Sequence, residues 1–370
     1  MDRVLVRHIR LSGKRGNCGW CESRGIKVVE AHSLYSFFDP VVALFQPLDL
    51  SDKAVSENQE QPVGYSLPNC MERKAGWTIF NQRLSKHAKC ELLDEIRGVD
   101  NVPIGYPEVA SSLELWTAPE AFFNHASEEY IWYEFAESIK WKRRFIPEKS
   151  AGVLTDPKDW LPQYLDEIAY FTSPTDSYYR ARLGGIEEHH TVTKPFSALE
   201  MGVPPRTKAT AGRANPAGIP YLYVAEKELT AVSEIRPFLG GQVTVARVTP
   251  RTSLQVVDLT KVSAVDSPFG HPNLQMALEK HALLSILNRE LSKPINPALA
   301  EIDYVPTQYL AEVILNSHYD GIRYKSAMHR GGHNVVFFNH KDLQISHSTK
   351  LIGVTANKLD YVQIPDDNQA

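Results

Sequence analysis

Short runs of β-branched and aromatic residues, bounded by glycine and proline, recur through the second half of this 370-residue chain. The runs are YLYVA (221–225), QVTVARV (242–248), LQVVDL (254–259), IRY (322–324) and NVVFF (334–338). Such runs, with turn residues at their ends, are typical of strands. Between them, residues 228–235 and 307–315 have the apolar spacing of helices. The second half therefore predicts an α+β fold.

The first half favours helices, and its clearest segment is EEYIWYEFAESIKWKRRFI at residues 128–146. Apolar side chains recur there at helical spacing, in Trp132, Phe135, Ala136 and Ile139. Ser127 is the predicted N-cap and Pro147 the predicted stop. The basic end of the segment could be read as a nucleic-acid patch. We favour a solvated face, because an acidic start and a basic end complement the helix dipole without any ligand.

Clusters of proline, serine and aspartate near residues 147–177 separate the helical first half from the α+β second half. Clusters of this kind separate domains. We therefore predict a mainly helical domain at 1–150, a second domain at 175–350 and a C-terminal tail at 351–370.

The formal net charge is −4, with no acidic or basic tail. A chain with that charge has no general attraction for nucleic acid or for anionic membranes, so we expect a small substrate or a protein partner. No apolar run reaches the ~20 residues that span a bilayer. We expect a soluble, cytoplasmic protein whose four cysteines are thiols or metal ligands.

Three segments of the second half combine polar residues with tight turns. In the first, AGRANPAGIPYLYVA, glycines and prolines indicate a turn that places Arg213 and Asn215 before a strand with Tyr223. A guanidinium suits bidentate capture of a phosphate, because its donors match two oxygens at once. It could equally brace the loop by bonding carbonyls, and spacing alone leaves both readings open.

In the second segment, ELTAVSEIRP, Glu234 lies on the predicted buried side of a helix. A carboxylate near apolar groups is costly unless it is paired or used, and a pair with Arg236 is the structural alternative. In the third, YDGIRYKSAMHRGGHNVVFF, Ser326 and Asn334 flank a glycine turn, where they could bind a ligand or merely cap the turn.

The first two segments together, GRANPAGIPYLYVAEKELTAVSEIRP, and the block TQYLAEVILNSHYDGIRYKSAMHRGGHNVVFF resemble the two signature blocks of the RES domain, which is named for its Arg, Glu and Ser residues. The resemblance covers about residues 177–345 and includes the entry YYRARLGG. It implies a fold related to ADP-ribosyltransferases, cleavage of the nicotinamide to ribose bond of NAD⁺ by phosphate or water, and a role as a growth-arresting toxin. The implied catalytic residues are Arg213, Tyr223, Glu234 and Ser326. The implied substrate-binding residues are Arg180, Arg182, Asn215 and Asn334.

The region before the RES domain resembles the HEPN-like helical extensions that some RES proteins carry. Such extensions commonly begin with two CxxC pairs, whereas this chain has only Cys18 and Cys21. Tetrahedral zinc needs four ligands, so these two cysteines fall two short, and we expect no metal. Many HEPN domains are ribonucleases with a spaced Arg and His. Arg3 with His8 fits that spacing, which is degenerate enough to arise by chance.

The sequence thus predicts an enzyme with NAD⁺ as substrate, inorganic phosphate as a candidate co-substrate and no resident cofactor. We expect a protein antitoxin or another regulatory partner, and homo-oligomerisation is compatible with the sequence. The alternatives are a ribonuclease that works through the first domain and a noncatalytic nucleotide-binding module.

Overall fold

The structure is a computed structural model that describes residues 2–47, 65–73, 76–99, 110–114, 116–117, 126–146, 156–189, 191–262 and 265–356. The chain divides into two compact units. The first comprises Met1–Tyr130 and Ser263–Leu284, and the second comprises Ile131–Val262 and Ser285–Ala370. The predicted helix stop, Pro147, and the first part of the predicted domain junction, residues 147–155, lie outside the described residues.

The first unit is built from short elements around an apolar core. Its helices are α1 (Arg3–Ser12), α2 (Tyr35–Val42), α3 (Leu67–Arg73) and α4 (Lys86–Arg97), and its strands are β1 (Lys14–Gly16), β2 (Ile26–Val28), β3 (Gln46–Pro47) and β4 (Trp116–Thr117). Asp2 caps α1 by accepting from the N–H groups of Val4 and Leu5, as a helix start requires. The core contains Phe38, Trp77 and Leu93, all almost fully buried. The resemblance of this region to HEPN domains stays a prediction.

The remaining helices are α5 (Ala126–Trp141), α6 (Pro157–Trp160), α7 (Pro162–Ile168), α8 (Glu228–Glu234), α9 (Leu274–Ser292), α10 (Ala300–Asp303) and α11 (Val305–Asn316). Helix α5 begins one residue before the predicted cap Ser127, whose side chain lies outside the described residues. As predicted, α5 buries Trp132, Phe135 and Ile139. Among the described helices, none combines the length and the apolar character needed to cross a membrane.

A nine-stranded sheet forms the centre of the second unit. Its strands are β5 (Ala169–Phe171), β6 (Tyr178–Leu183), β9 (Leu222–Ala225), β10 (Gln242–Pro250), β11 (Gln255–Asp258), β12 (Gly321–Lys325), β13 (His333–Phe337), β14 (Leu343–Ile345) and β15 (Lys350–Gly353). Their order is β14-β10-β6-β9-β13-β12-β11-β5, and β15 also pairs with β10. Two further strands, β7 (Ile186–Glu188) and β8 (Thr191–Lys194), pair with each other in a separate two-stranded sheet.

All neighbouring strands of this sheet are antiparallel except β11 and β12. The five predicted strands and the two predicted helices of this half are confirmed, and so is the α+β class. The predicted tail at 351–370 begins within β15, and residues 357–370 lie outside the described residues. The predicted domain limits stay a prediction.

Strand register places one row of residues across the centre of the sheet. Tyr324 of β12 lies opposite Asn334 of β13, Asn334 lies opposite Ala225 of β9, and Ala225 lies opposite Tyr179 of β6. Because strand residues alternate between faces, Val335 next to Asn334 points to the other face, where it joins a second apolar core. The row from Tyr324 to Tyr179 thus lies on one face of the four central strands, and the second apolar core lies on the other face.

Candidate active site

A cavity of about 240 Å³ lies where α8 meets the four central strands. Its lining includes Tyr179, Arg180, Tyr223, Glu234, Tyr324 and Asn334. Burial raises the pKa of the Tyr223 and Tyr324 hydroxyls well above the ordinary tyrosine value. We call this cavity the Glu234 pocket.

Glu234 is the last residue of α8. Thr230 and Ala231, four and three residues earlier, are buried, so helical spacing places Glu234 on the same face, as the sequence predicted. One carboxylate oxygen, Oε1, accepts from the Ser326 hydroxyl at 2.6 Å and from the Asn334 amide at 2.7 Å. These partners take the place of the pair with Arg236 that the sequence offered as an alternative. The second oxygen, Oε2, accepts no hydrogen bond from the part of the chain that the structure describes.

Ser326 begins the turn that joins β12 to β13. Its Oγ accepts from the backbone N–H groups of Met328 and His329 at 3.2 and 3.0 Å, and donates its proton to Glu234. With both acceptor positions and the donor engaged, the hydroxyl orients the carboxylate. The hydroxyl therefore caps the turn, which is one of the two expected roles, and it also contacts Glu234. Ligand binding by Ser326 stays a prediction.

A second contact fastens this turn to α8. The Oγ1 of Thr230, which is fully buried, lies 2.7 Å from Nδ1 of His329. Gly332 packs against this pair so closely that a Cβ at position 332 would lie 2.6 Å from the threonine oxygen. Neither Thr230 nor His329 was predicted as a site residue from the sequence. The contact holds the Ser326 turn at a fixed distance from the helix that carries Glu234.

Arg180 of β6 lines the Glu234 pocket. It follows Tyr179, which pairs with Ala225 of β9. Its guanidinium donates to the carbonyls of Tyr223 and Gly202 at 2.9 and 3.4 Å. The Nε atom is buried and has no hydrogen-bond partner among the described residues. Burial lowers the pKa of Arg180 to about 10, with a further contribution from neighbouring Arg182. A buried cation bonded only to carbonyls is a favourable partner for an anion.

Tyr223 and Asn215 hold the turn that precedes β9. The Tyr223 hydroxyl accepts from the Ala214 N–H at 2.9 Å and donates to Asn215 Oδ1 at 2.7 Å. The Asn215 amide nitrogen donates to three carbonyls of the same turn, those of Thr210, Pro216 and Ile219. The polar atoms of Asn215 are thus taken up within the turn, whereas the ring of Tyr223 lines the pocket.

Gly212 is required at the start of this turn. A Cβ there would lie 2.5 Å from Asn215 Oδ1 and 2.7 Å from the Tyr223 hydroxyl. Gln308 of α11 donates to the Gly212 and Asn215 carbonyls, each at 3.0 Å, and so ties the turn to that helix. The structure therefore assigns to Gln308 a bracing role that the sequence analysis missed.

The other two predicted arginines lie elsewhere. The Arg213 guanidinium donates to the Lys293 carbonyl at 2.6 Å and lines a separate cavity that does not include Glu234. Arg182 is exposed; it donates to the Glu200 carbonyl at 2.8 Å and stacks on Phe196. The structure therefore brings together Arg180, Tyr223, Glu234, Ser326 and Asn334, and places Arg182, Arg213 and Asn215 outside that group.

Cys18 and Cys21 are thiols in a turn of the first unit. The Cys21 Sγ lies 3.3 Å from the Ser23 hydroxyl, and hydrogen bonding of Ser23 to the thiolate form is the main cause that lowers the pKa of Cys21. Across the part of the chain that the structure describes, no three histidine, cysteine or acidic side chains form a group that could hold a metal ion.

Comparisons with known proteins bear on the second half of the chain. Residues 178–355 match the family model described as the RES domain. Among solved structures, the M. tuberculosis MbcT-MbcA toxin-antitoxin complex contains a chain that is similar at 15% identity; the match covers 53% of this chain and 92% of that chain, with a TM-score of 0.30. A search of curated proteins found no match. The resemblance to the RES signature blocks is thus confirmed by the family match, and residues 178–355 are a RES domain.

Proposed function

We propose that this protein degrades NAD⁺ by cleaving the bond between nicotinamide and ribose. The observation that carries the proposal is the Glu234 carboxylate, which Ser326 and Asn334 hold by Oε1 at the edge of a cavity inside a RES domain. Such a carboxylate, oriented by two donors and with its other oxygen free, suits the stabilisation of a developing positive charge.

The proposed reaction creates that charge on the ribose. The bond from C1′ to the nicotinamide nitrogen breaks, and its electron pair leaves with the nitrogen, which turns the pyridinium into neutral nicotinamide. An oxocarbenium-like ribose remains, next to Glu234 Oε2. Attack of a water oxygen on C1′ forms ADP-ribose and releases one proton to solvent. Attack of an oxygen of hydrogen phosphate on the same carbon, which is numbered C1″ in the product, forms ADP-ribose-1″-phosphate, whose phosphate group keeps the proton. Glu234 is the catalytic residue in this scheme, and Ser326 and Asn334 are its positioning residues.

The neighbouring groups support binding of a dinucleotide. The Tyr223 and Tyr324 rings line the Glu234 pocket and offer flat faces to the nicotinamide. The partly unbonded guanidinium of Arg180 supplies a cation for the diphosphate. Arg213 is a second candidate for a phosphate, in the separate cavity that it lines.

The test follows nicotinamide release from NAD⁺ by the purified full-length protein, with and without inorganic phosphate. We expect turnover by the wild type and a loss of more than a hundredfold in Glu234→Gln, which keeps the shape of the side chain and removes its charge. Glu228→Gln is the matched control, because Glu228 lies on the same helix and pairs with Lys350 at 2.6 Å, away from the Glu234 pocket.

Product analysis distinguishes phosphorolysis from hydrolysis, since only phosphorolysis yields ADP-ribose-1″-phosphate. Absence of nicotinamide release under both conditions, or full activity in Glu234→Gln, would refute the proposal. RNA cleavage that survives Glu234→Gln would instead support the ribonuclease alternative. NAD⁺ binding without turnover would support the noncatalytic alternative.

In cells, we propose that this activity arrests growth, as a toxin or a defence effector, and that a protein partner restrains it. Induced expression should lower cellular NAD⁺ before growth stops, and Glu234→Gln should do neither. Growth arrest without a fall in NAD⁺ would contradict this part of the proposal.

A further inference from the structure

A second cavity of the same unit, of about 220 Å³, adjoins the turn that carries Arg213. Its lining includes Trp132, Lys140, Arg213, Lys293, Asp303 and Tyr304. Trp132 and Lys140 belong to helix α5, which precedes the RES match at 178–355. We call this cavity the Arg213 pocket.

The charges in the Arg213 pocket do not cancel. Lys140 pairs with Asp303 at 3.1 Å, and Lys293 lies 4.0 Å from Glu290. Arg213 forms no ion pair with a carboxylate among the described residues. The lining therefore holds three cations and two carboxylates, on a chain whose overall net charge is −4. The local excess of positive charge comes from placed side chains and does not reflect the composition of the chain.

The Arg213 guanidinium is also held in place before any ligand binds. Its Nη1 donates to the Lys293 carbonyl at 2.6 Å, and its Cζ lies 5.8 Å from the centre of the Tyr304 ring. The backbone is fastened as well, because the Arg213 carbonyl accepts from the Thr307 hydroxyl at 2.6 Å. A guanidinium has five N–H donors, so Arg213, held in one orientation, keeps several N–H donors that a ligand could use.

We propose that the Arg213 pocket binds a phosphate group, and that Lys140 of helix α5 is one of its ligands. A phosphate matches the fork of the guanidinium and neutralises the excess charge, and the Lys140 ammonium retains donors beyond its bond to Asp303. The inference rests on the proposed function and deepens it, since inorganic phosphate and a phosphate of the dinucleotide are the two sources that function provides. Helix α5 then contributes to substrate binding although it lies outside the RES domain.

The test is isothermal titration of the full-length protein with inorganic phosphate and, separately, with AMP, so that binding is measured without turnover. We expect Lys140→Ala to weaken binding about tenfold, the loss of roughly one charge-assisted hydrogen bond. Asp303→Asn should strengthen binding, because it removes a negative charge that competes with the ligand for Lys140. Lys142→Ala is the matched control, since Lys142 is exposed, lies two residues beyond Lys140 and should leave binding unchanged.

Both Lys140→Ala and Asp303→Asn break the same ion pair, so a purely structural role predicts that they change the affinity in the same direction. That result, or no binding of either probe by the wild type, would overturn the proposal. Binding of inorganic phosphate assigns the pocket to the free ion, whereas binding of AMP alone assigns it to a nucleotide phosphate, and both agree with the inference. Phosphate binding with the expected variant pattern but without NAD⁺ cleavage would remove the proposed function and leave this site standing.

Discussion

Replacing Ser326 by alanine should slow the reaction without weakening substrate binding. The change removes one of the two donors to Glu234 Oε1, the hydroxyl at 2.6 Å, and leaves only Asn334 to orient the carboxylate. A hydrogen bond to a charged group is worth about 1.5–3 kcal/mol. Because about 1.4 kcal/mol corresponds to a tenfold change in rate, kcat should fall by roughly tenfold to 150-fold. KM should change by less than threefold, since Ser326 acts through Glu234.

The assay is steady-state nicotinamide release by wild type and Ser326→Ala over a range of NAD⁺ concentrations. Ser233→Ala is the matched control, because the Ser233 hydroxyl lies next to Glu234 on α8 but donates to the Leu229 carbonyl at 2.7 Å. Removing the Ser326 hydroxyl also leaves two backbone N–H groups without their acceptor. The free energy of unfolding must therefore be measured in urea for all three proteins.

Two results would refute this reasoning. One is a Ser326→Ala enzyme that is stably folded and keeps kcat within twofold of the wild type. The other is a variant in which KM rises and kcat is unchanged, because that pattern belongs to a residue that binds the substrate directly.

Three further substitutions test the contacts of Tyr223, Thr230 and Glu226. Tyr223→Phe removes the hydroxyl that holds the turn before β9, so the free energy of unfolding in urea should fall by about 1–3 kcal/mol; an unchanged value would mean that the turn is held by other groups. Thr230→Val breaks the hydrogen bond to His329 and should lower kcat, whereas Thr230→Ser keeps this hydrogen bond and should keep kcat. Equal kcat values in the two variants would exclude a positioning role for Thr230. Burial raises the pKa of Glu226, but bonds from Arg323 and His333 outweigh it and hold that pKa below its ordinary value of 4.5. A carboxyl group whose pKa is lowered by folding stabilises the protein at pH values above its ordinary pKa, and this stabilisation is lost as the pH falls through the lowered pKa. Glu226→Gln should therefore be less stable than the wild type at pH 7, and the difference in the free energy of unfolding in urea should narrow below about pH 4.5. A difference that stays constant with pH would contradict this prediction.

The strands and helices of the second half were predictable because their signals are local. Glycine and proline mark the ends of β9 and α8, and helical spacing from Ala231 places Glu234 on the buried face. The polar residues around the turn after β12 could be predicted as site candidates because glycines mark that turn in the sequence.

The partners of those residues could not be predicted, because they depend on strand order and register. Glu234 meets Ser326 and Asn334 only because β9, β13 and β12 are neighbours in the sheet. Long-range contacts also decide where Arg213 lies. Its motif marked it as a site residue, but bonds to Lys293 and Thr307, 80 and 94 residues away, direct it to another cavity.

The long sequence separation within the Glu234 pocket has a consequence for biosynthesis. Glu234 acquires its two donors only from residues 92 and 100 positions later, and β15, which completes the edge at β10, is later still. A ribosome that has translated the first signature block has therefore produced a chain with an unassembled site. Since closing such distant contacts requires the later strands, the nascent protein should be unable to carry out the proposed cleavage until residues 326 and 334 have been translated and have paired into the sheet. The proposed restraining partner would thus have the interval between synthesis of Glu234 and synthesis of Asn334 in which to bind before the site assembles.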